Sequence, residues 1–357
     1  MTGMIGIVNT RLYMHTAGRQ QSLIMLLLTT LFTLGLFPSP ATSFDWVPSD
    51  EEIQKYRKSW NPFSHGPVLL QSVDIQPKGQ LSVREFLFSQ LGDSSFGNQL
   101  TFASDATSGP VRLAQLNPSI NAAYGLTNHL ELGAAISVNA FWAESNGVKT
   151  NNVGLGDTSL ILKYRPIVQN PDSWRPSLTN MMQLVLPTSQ WAGTERPPGG
   201  FSPLGRLPNT RFGSLGFSEG LMTRKNLEPF RISAAVFYTY SAPGDDAGKT
   251  TYSADLVNVR LVVEHILDDM KGFGYNIELS TLSGLPWRVD GQPINSGQKN
   301  GFSIIGVEPA LQWKFGDHWV ASAGCLFTVA GQNAINAIYP NISLYWYWSQ
   351  SSKVIMR

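Results

Sequence analysis

The sequence predicts an all-β fold: an up-and-down antiparallel transmembrane β-barrel of about 12 strands, of the outer-membrane type. Three observations predict it. Period-two alternation of apolar and polar residues recurs along the chain, short and long connections alternate between the segments, and an export-type leader stands at the start.

Composition agrees with one sheet face in lipid. Charged residues make up 14% of the 357 residues, below the roughly 25% of soluble globular chains. Aromatics reach 11% and glycine contributes 33 residues. A net charge of +1 gives no single-sign field, so no nucleic-acid partner is expected. Cys325 is the only cysteine. It has no internal partner and no Cys/His cluster at ligand spacing accompanies it, so neither a metal nor another cofactor is indicated. Cys325 reads as a small apolar strand residue.

At the N-terminus, Arg11, His15 and Arg19 precede an apolar run at 23–37, and Ala41-Thr42-Ser43 supplies small residues for cleavage before Phe44. The run is shorter than the roughly 20 residues of a spanning helix, so 1–43 is expected to be a Sec-type signal peptide, with Met14 as an alternative start. Residues 44–80 form an expected periplasmic N-terminal extension. Within it Asp50-Glu51-Glu52 and Lys55-Tyr56-Arg57-Lys58 lie on a short helical stretch; a flexible tail, a plug and a docking element are all open readings.

The barrel is expected over 81–348. Its clearest strand is 129–142, where Leu130, Leu132, Ala134, Ile136, Val138, Ala140 and Trp142 oppose His129, Glu131, Gly133, Ala135, Ser137 and Asn139. Val257, Val259, Leu261 and Val263 oppose Asn258, Arg260, Val262 and Glu264 in the same way. Tyr275, Ile277 and Leu279 oppose Asn276, Glu278 and Ser280, while Ile305, Val307, Leu311 and Trp313 oppose Glu308, Gln312 and Lys314. The last strand sets Ile338, Ile342, Leu344, Trp346 and Trp348 outward, ending in aromatics suited to a membrane interface. In order the strands are expected at 81–91, 113–124, 129–142, 155–167, 177–187, 212–223, 231–241, 251–265, 272–283, 302–314, 319–329 and 336–348. The faces of Arg84, Glu85 and Glu219 cannot be assigned from the pattern. A tail, 349–357, follows the last strand.

Tight links at 125–128, 224–230, 267–271 and 315–318 alternate with long Gly-, Pro-, Ser- and Asn-rich ones at 92–112, 144–154, 188–211, 242–249 and 285–301. Short periplasmic turns and long extracellular loops produce this rhythm and place both termini in the periplasm of a Gram-negative-type bacterium. Turning Lys163, Arg165 or Arg260 to lipid near the midplane would cost roughly 2 to 4 kcal/mol each, so the polar row must face the lumen. Pro118, Pro309 and Pro340 must each leave a ladder bond unmade in a barrel without a free edge.

The stretch Tyr124-Gly125-Leu126-Thr127-Asn128-His129-Leu130-Glu131-Leu132-Gly133, with Gly154-Leu155-Gly156-Asp157 running on to Lys163-Tyr164-Arg165, resembles the outer-membrane barrel family labelled for the meta-pathway of phenol degradation. The likeness extends into Leu184-Val185-Leu186-Pro187-Thr188 and more loosely to the C-terminus. It implies a transporter or channel for small, often aromatic or hydrophobic, compounds.

The candidate functional residues are the lumen row: Glu131, Asp157, Lys163, Arg165, Arg260, Glu264, Glu278, Glu308 and Lys314, with Asn121, Asn139, Asn258 and Asn276. Mixed signs suggest a lumen partly closed by ion pairs, and mutual charge satisfaction competes with a solute path as their role. Gly154-Leu155-Gly156-Asp157 is not followed by a helix pattern, so it is no phosphate loop. His129, His265 and His318 fall near turns, and Trp142, Trp313, Trp319, Trp346 and Trp348 read as interface anchors. The expected partners are outer-membrane lipid and lipopolysaccharide, the barrel-assembly machinery and a small-molecule solute. A surface-interaction barrel working through its external loops is the alternative. A lipid-modifying enzyme would need an outward Ser and His at the rim, which the pattern does not supply, so the chain is read as no enzyme.

Overall fold

Strands with one apolar and one polar row bury their polar row only by closing on themselves, and this chain does so. The computed structural model describes residues 47–62, 66–145, 147–191, 214–246, 249–286, 288–293 and 301–349. The expected signal peptide, the Met14 start and most of the tail lie outside the described residues. So does most of the loop expected at 188–211.

The twelve barrel strands begin with β1 (Gln80–Ser95), β2 (Thr107–Gly125), β3 (Leu130–Ser145), β4 (Thr158–Ile167), β5 (Ser177–Leu186) and β6 (Gly216–Leu227). They continue with β7 (Phe230–Ser241), β8 (Leu256–Asp268), β9 (Phe273–Gly284), β10 (Phe302–Phe315), β11 (Trp319–Gln332) and β12 (Ile335–Ser349). Each pairs antiparallel with its neighbour in sequence, and β1 pairs with β12 from Gln80↔Ser349 to Ser95↔Ile335, which closes the ring. The rim holding Gln80 and Ser349 is called the base; the other is the far rim. Among the described residues no helix is long and apolar enough to cross a membrane.

The two rows separate by exposure. Ile136, Leu261 and Ile342 are 55%, 49% and 58% exposed, whereas Glu131 is 3% exposed and Glu264 and Glu278 are 0%. Outward Trp313, Phe315, Trp319, Trp348, Phe273 and Tyr275 gather near the base rim, with Phe315 stacked on Trp319, and Trp142 stands near the far rim. Arg84 faces the lumen, while Glu85 and Glu219 face outward. Glu219 accepts a hydrogen bond from outward Asn180 at 3.2 Å.

Several strand boundaries differ from the sequence pattern: β1 runs to Ser95 rather than 91, β2 starts at Thr107 rather than at 113, and β6 starts at Gly216 rather than at 212. β6 runs to Leu227 rather than ending at 223, because Glu228-Pro229 alone make the turn to β7. β8 starts at Leu256 rather than at 251, since Ala254 has φ 71° and Lys249–Tyr252 belongs to a separate small sheet with Gly244–Asp246, Arg288–Val289 and Gln292–Pro293. The length rhythm also has two exceptions. The far-rim link Asn333-Ala334 is tight, held down by Asn333 Nδ2 donating to Gly301 O at 2.6 Å and by Phe96 N donating to Ala334 O. The base link 168–176 is long and grips a helix described below.

The three prolines lie inside strands, each beside a gap in one ladder. Pairing of β2 with β3 skips from Leu116↔Ala140 to Ser119↔Ser137, and Asn117 Nδ2 donates to Val138 O at 3.2 Å across that gap. At Pro340 the β1 ladder skips from Phe88↔Asn341 to Leu91↔Ile338, and Ser89 Oγ donates to Pro340 O at 2.6 Å. At Pro309 the β11 ladder skips from Val307↔Phe327 to Ala310↔Gly324. The missing proline N–H thus falls where pairing is already interrupted, and twice a side-chain bond serves the gap.

Candidate functional site: a plugged lumen

The N-terminal extension supplies the main content of the lumen. Helix α1 (Asp50–Lys58) forms because Ser49 and Glu52 make a capping box, acids fill its first turn and bases its last. Its Ile53 and Tyr56 are buried against Val168. Glu52 pairs with Arg175 at 2.5 Å and Lys55 with Asp172, both on the base link 168–176, while Arg57 donates to Asn128 Oδ1 at 3.1 Å. Trp60 Nε1 donates to Asp269 Oδ2 at 2.8 Å. These turns stand on different sides of the mouth, so α1 lies across the base opening. Because the Arg175 guanidinium binds it, the Glu52 carboxyl is held below its ordinary range despite some desolvation.

From α1 the chain enters the barrel and is held on all sides by inward side chains. Arg231 donates to Asn61 Oδ1 at 3.2 Å and to Pro62 O. Glu278 accepts three successive amides, from Val68, from Leu69 at 3.0 Å and from Leu70 at 3.0 Å. Arg84 donates to Val68 O at 2.5 Å, Lys163 to Ser72 O at 3.2 Å and Thr179 to Val73 O at 2.6 Å. Glu131 pairs with Lys163 at 3.2 Å and accepts Gln76 N at 2.6 Å.

Asp74 is the centre of this plug. Its Oδ1 meets Arg165 Nη1 and its Oδ2 meets Arg224 Nη1, both at 2.9 Å, and Tyr56 OH donates to the two oxygens at 2.9 and 3.0 Å. All four side chains are buried. Burial, and then the Asp74 charge, push the Tyr56 phenol up to about 12.

The plug leaves at the Tyr124-Gly125-Leu126-Thr127-Asn128 turn. Gly79 N donates to Gly125 O at 2.8 Å and Lys78 N to Asn128 Oδ1 at 3.4 Å. A Cβ at Gly125 would collide with Pro77 O, which is why this motif position carries glycine.

The lumen has two zones. The base half carries most of the charges. The far half joins polar side chains such as Gln90, Gln115, Asn139 and Asp157 to an apolar patch of Leu113, Phe141, Ala143, Leu326, Ala337 and Tyr339, with Phe88 and the plug's Leu69 against it. A cavity of about 890 Å³ opens at the far rim, lined by Leu113, Ala143, Thr328 and Ala337, with Asp93, Arg112, Glu144 and Lys149 around its mouth. Along β9–β12, Asn276, Glu308 Oε2, Gln312 Oε1, Ser322 Oγ and Asn341 Oδ1 are buried without a hydrogen-bond partner among the described residues, a demand that water ordinarily meets.

Of the candidates read from the sequence, Glu131, Lys163, Arg165 and Glu278 converge on the plug. Glu264 lies 3.8 Å from Arg231 and accepts Gln312 Nε2, so it backs the plug contact of Arg231. Glu308 sits cross-strand from Glu278 and accepts Asn341 Nδ2 at 2.6 Å; Arg260, diagonal to Glu278, donates to Asn258 Oδ1 at 2.8 Å. Asp157 is elsewhere: it accepts Ser189 N at 2.9 Å near the far rim. Lys314 is half-exposed at the base end of β10. Sequence reading missed Asp74, Tyr56, Arg224 and Arg231. Arg224 fell in an expected turn, although the inward spacing Met222, Arg224, Asn226 would have placed it, and Arg231 opened the expected strand 231–241 without being singled out. Being the sole acid of 66–77 was the available sign of Asp74.

Among the described residues no group of His, Cys, Asp and Glu could hold a metal ion. No family model matches the chain, and no curated protein sequence matches it. Solved structures do. The COG4313 outer membrane channel from Pseudomonas putida F1 is 14% identical, with a TM-score of 0.60 over 79% of this chain and 100% of that one. The translocator domain of the autotransporter NalP from Neisseria meningitidis gives 10% identity and 0.46, over 77% of this chain and 90% of that one. A mutant of the TodX monoaromatic hydrocarbon channel gives 8% and 0.42, over 80% and 95%. The first likeness concerns the fold, and with the closed ring of strands it makes this chain a twelve-stranded β-barrel of the outer-membrane type.

Proposed function

We propose that the protein is an outer-membrane channel for small apolar or aromatic solutes, closed at rest by its own N-terminal segment. The observation that carries this is the apolar patch in the far half of the lumen, which leads from a cavity at the far rim down to Leu69 at the plug. A barrel with only a structural role gains nothing from an apolar well facing the outside, whereas an apolar solute is bound there by desolvation. Passage then requires the plug to shift from the base half. The lumen residues Glu131, Lys163, Arg165 and Glu278 serve in this reading as its clasps, backed by Glu264.

The base links, short except for 168–176, and the α1 cap support a base rim in the periplasm, with both termini there after Sec-type export. The outward rows then meet lipid and, at the far rim, lipopolysaccharide, after insertion by the barrel-assembly machinery. The Tyr124–Gly133 and Gly154–Arg165 motifs support membership of the phenol-pathway barrel family, whose cargo class agrees. The test is uptake of labelled small aromatic compounds by cells with and without the gene. Faster uptake with it is expected, and equal rates would remove the channel reading.

A further inference from the structure

Building on the channel reading, we infer that Arg165 and Arg224 form a carboxylate-binding site for an amphipathic solute, and that Asp74 of the plug occupies it as an internal stand-in. The favoured cargo is then a monocarboxylate with an apolar body.

Three features of the site argue for this. Two guanidinium groups from the barrel wall, 2% and 3% exposed, meet on one carboxylate, each through Nη1 at 2.9 Å. Such forks match the two oxygens of a carboxylate and bind it by charge-assisted hydrogen bonds. Arg165 Nε and Arg224 Nη2 are buried without a hydrogen-bond partner among the described residues, so the wall offers donors beyond those Asp74 uses.

Next to this head site lies an apolar surface on the same strands. Ile161 of β4, Met181 of β5 and Met222 of β6 project into the lumen with Ala235 and Val262, and the plug covers them with Leu70 and Val73. Met222 precedes Arg224 by one inward position on β6. The plug therefore presents an acid joined to an apolar stretch, the same two parts that an aryl or alkyl carboxylate would present.

The third argument is electrostatic. Withdrawing the plug would take from two wall guanidiniums the carboxylate they share, and with it their charge-assisted hydrogen bonds to that carboxylate. A cargo carboxylate restores those bonds as it arrives, whereas a neutral or cationic solute of the same shape does not. Displacement of the plug is thereby tied to the chemistry of the solute.

The test measures calorimetric binding of 4-phenylbutyrate, 4-phenylbutan-1-ol and 4-phenylbutylammonium to the purified full chain in detergent. Asp74→Asn is expected to bind the carboxylate at least about tenfold more tightly than the native chain does, with the alcohol and the ammonium unchanged. Adding Arg224→Gln should cancel the gain. Equal changes for all three probes, or none, would overturn the assignment. Should Asp74→Asn not fold, chymotrypsin cleavage between Val68 and Ile75 of the native chain gives a second readout. 4-Phenylbutyrate should accelerate it and 4-phenylbutylammonium should not; equal cleavage with both would overturn the assignment. Uptake of uncharged aromatic compounds reads the channel itself, so its loss and the loss of carboxylate preference are separate results.

Discussion

Replacing Glu278 by glutamine isolates one clasp on the plug. The carboxylate accepts Val68 N and Leu69 N on Oε1 and Leu70 N on Oε2. Glutamine keeps the shape and one acceptor oxygen but sets an NH₂ group against one of these amides. One bond to a charged acceptor is lost, worth about 1.5–3 kcal/mol, and one buried N–H is left unmet at about 1–3 kcal/mol. Relief of the crowding between the two acidic side chains, Glu278 and cross-strand Glu308, offsets part of this. A net loss of about 3 kcal/mol corresponds to roughly a hundredfold rise in the detached population of the plug tip. Amide hydrogen exchange in detergent reads it directly: Val68, Leu69 and Leu70 should lose about that factor of protection while β9 and β10 amides keep theirs. Unchanged exchange at these three amides would refute the view that Glu278 holds the plug.

Lys163→Ala removes the partner of buried Glu131 and the bond to Ser72 O, and should lower stability by about 3–5 kcal/mol in a denaturant titration. Leu261→Arg, on the outward row in mid-strand, should cost roughly 2 to 4 kcal/mol for unfolding from lipid vesicles; a neutral result would reverse the facing of β8. Tyr56 titrates at about 12 in the folded chain against an ordinary value of 10.0, so its contribution is complete below pH 10 and disappears as the pH rises through about 12. Tyrosinate absorbance should lose one of its late-titrating phenols in Tyr56→Phe. The Glu52 carboxyl is shifted the other way, by Arg175, so its help to α1 docking is present above its ordinary value of 4.5 and fades as acid titrates it below that. A fluorescent label on α1 should report loosening on that acid side, and Glu52→Gln should remove that acid dependence.

Much of the barrel could be read from the chain because period two is a local property. Each of Leu130 to Trp142, Val257 to Glu264 and Ile338 to Trp348 shows its inner and outer face without reference to any other strand. Closure followed from the same pattern, since charges such as Lys163 and Arg165 have nowhere to go except inside. Where alternation is weak the pattern fell short: Arg84 and Glu219 found their faces only through the ladders of their neighbours, and β6 kept its strand to Leu227 because Pro229 turns more tightly than the sequence suggested.

The plug belongs to the other kind of information. Residues 66–77 carry no period that binds them to a face, and their partners lie on strands far along the chain, from Arg84 to Glu278. A hydrogen bond from Leu70 N to Glu278, or a carboxylate bridging Arg165 and Arg224, depends on distances that exist only once the ring has closed. The sequence by itself determined which side of each strand shuns water. The tertiary structure alone decided what fills the space the strands enclose, because that depends on contacts between segments with no local signature of each other.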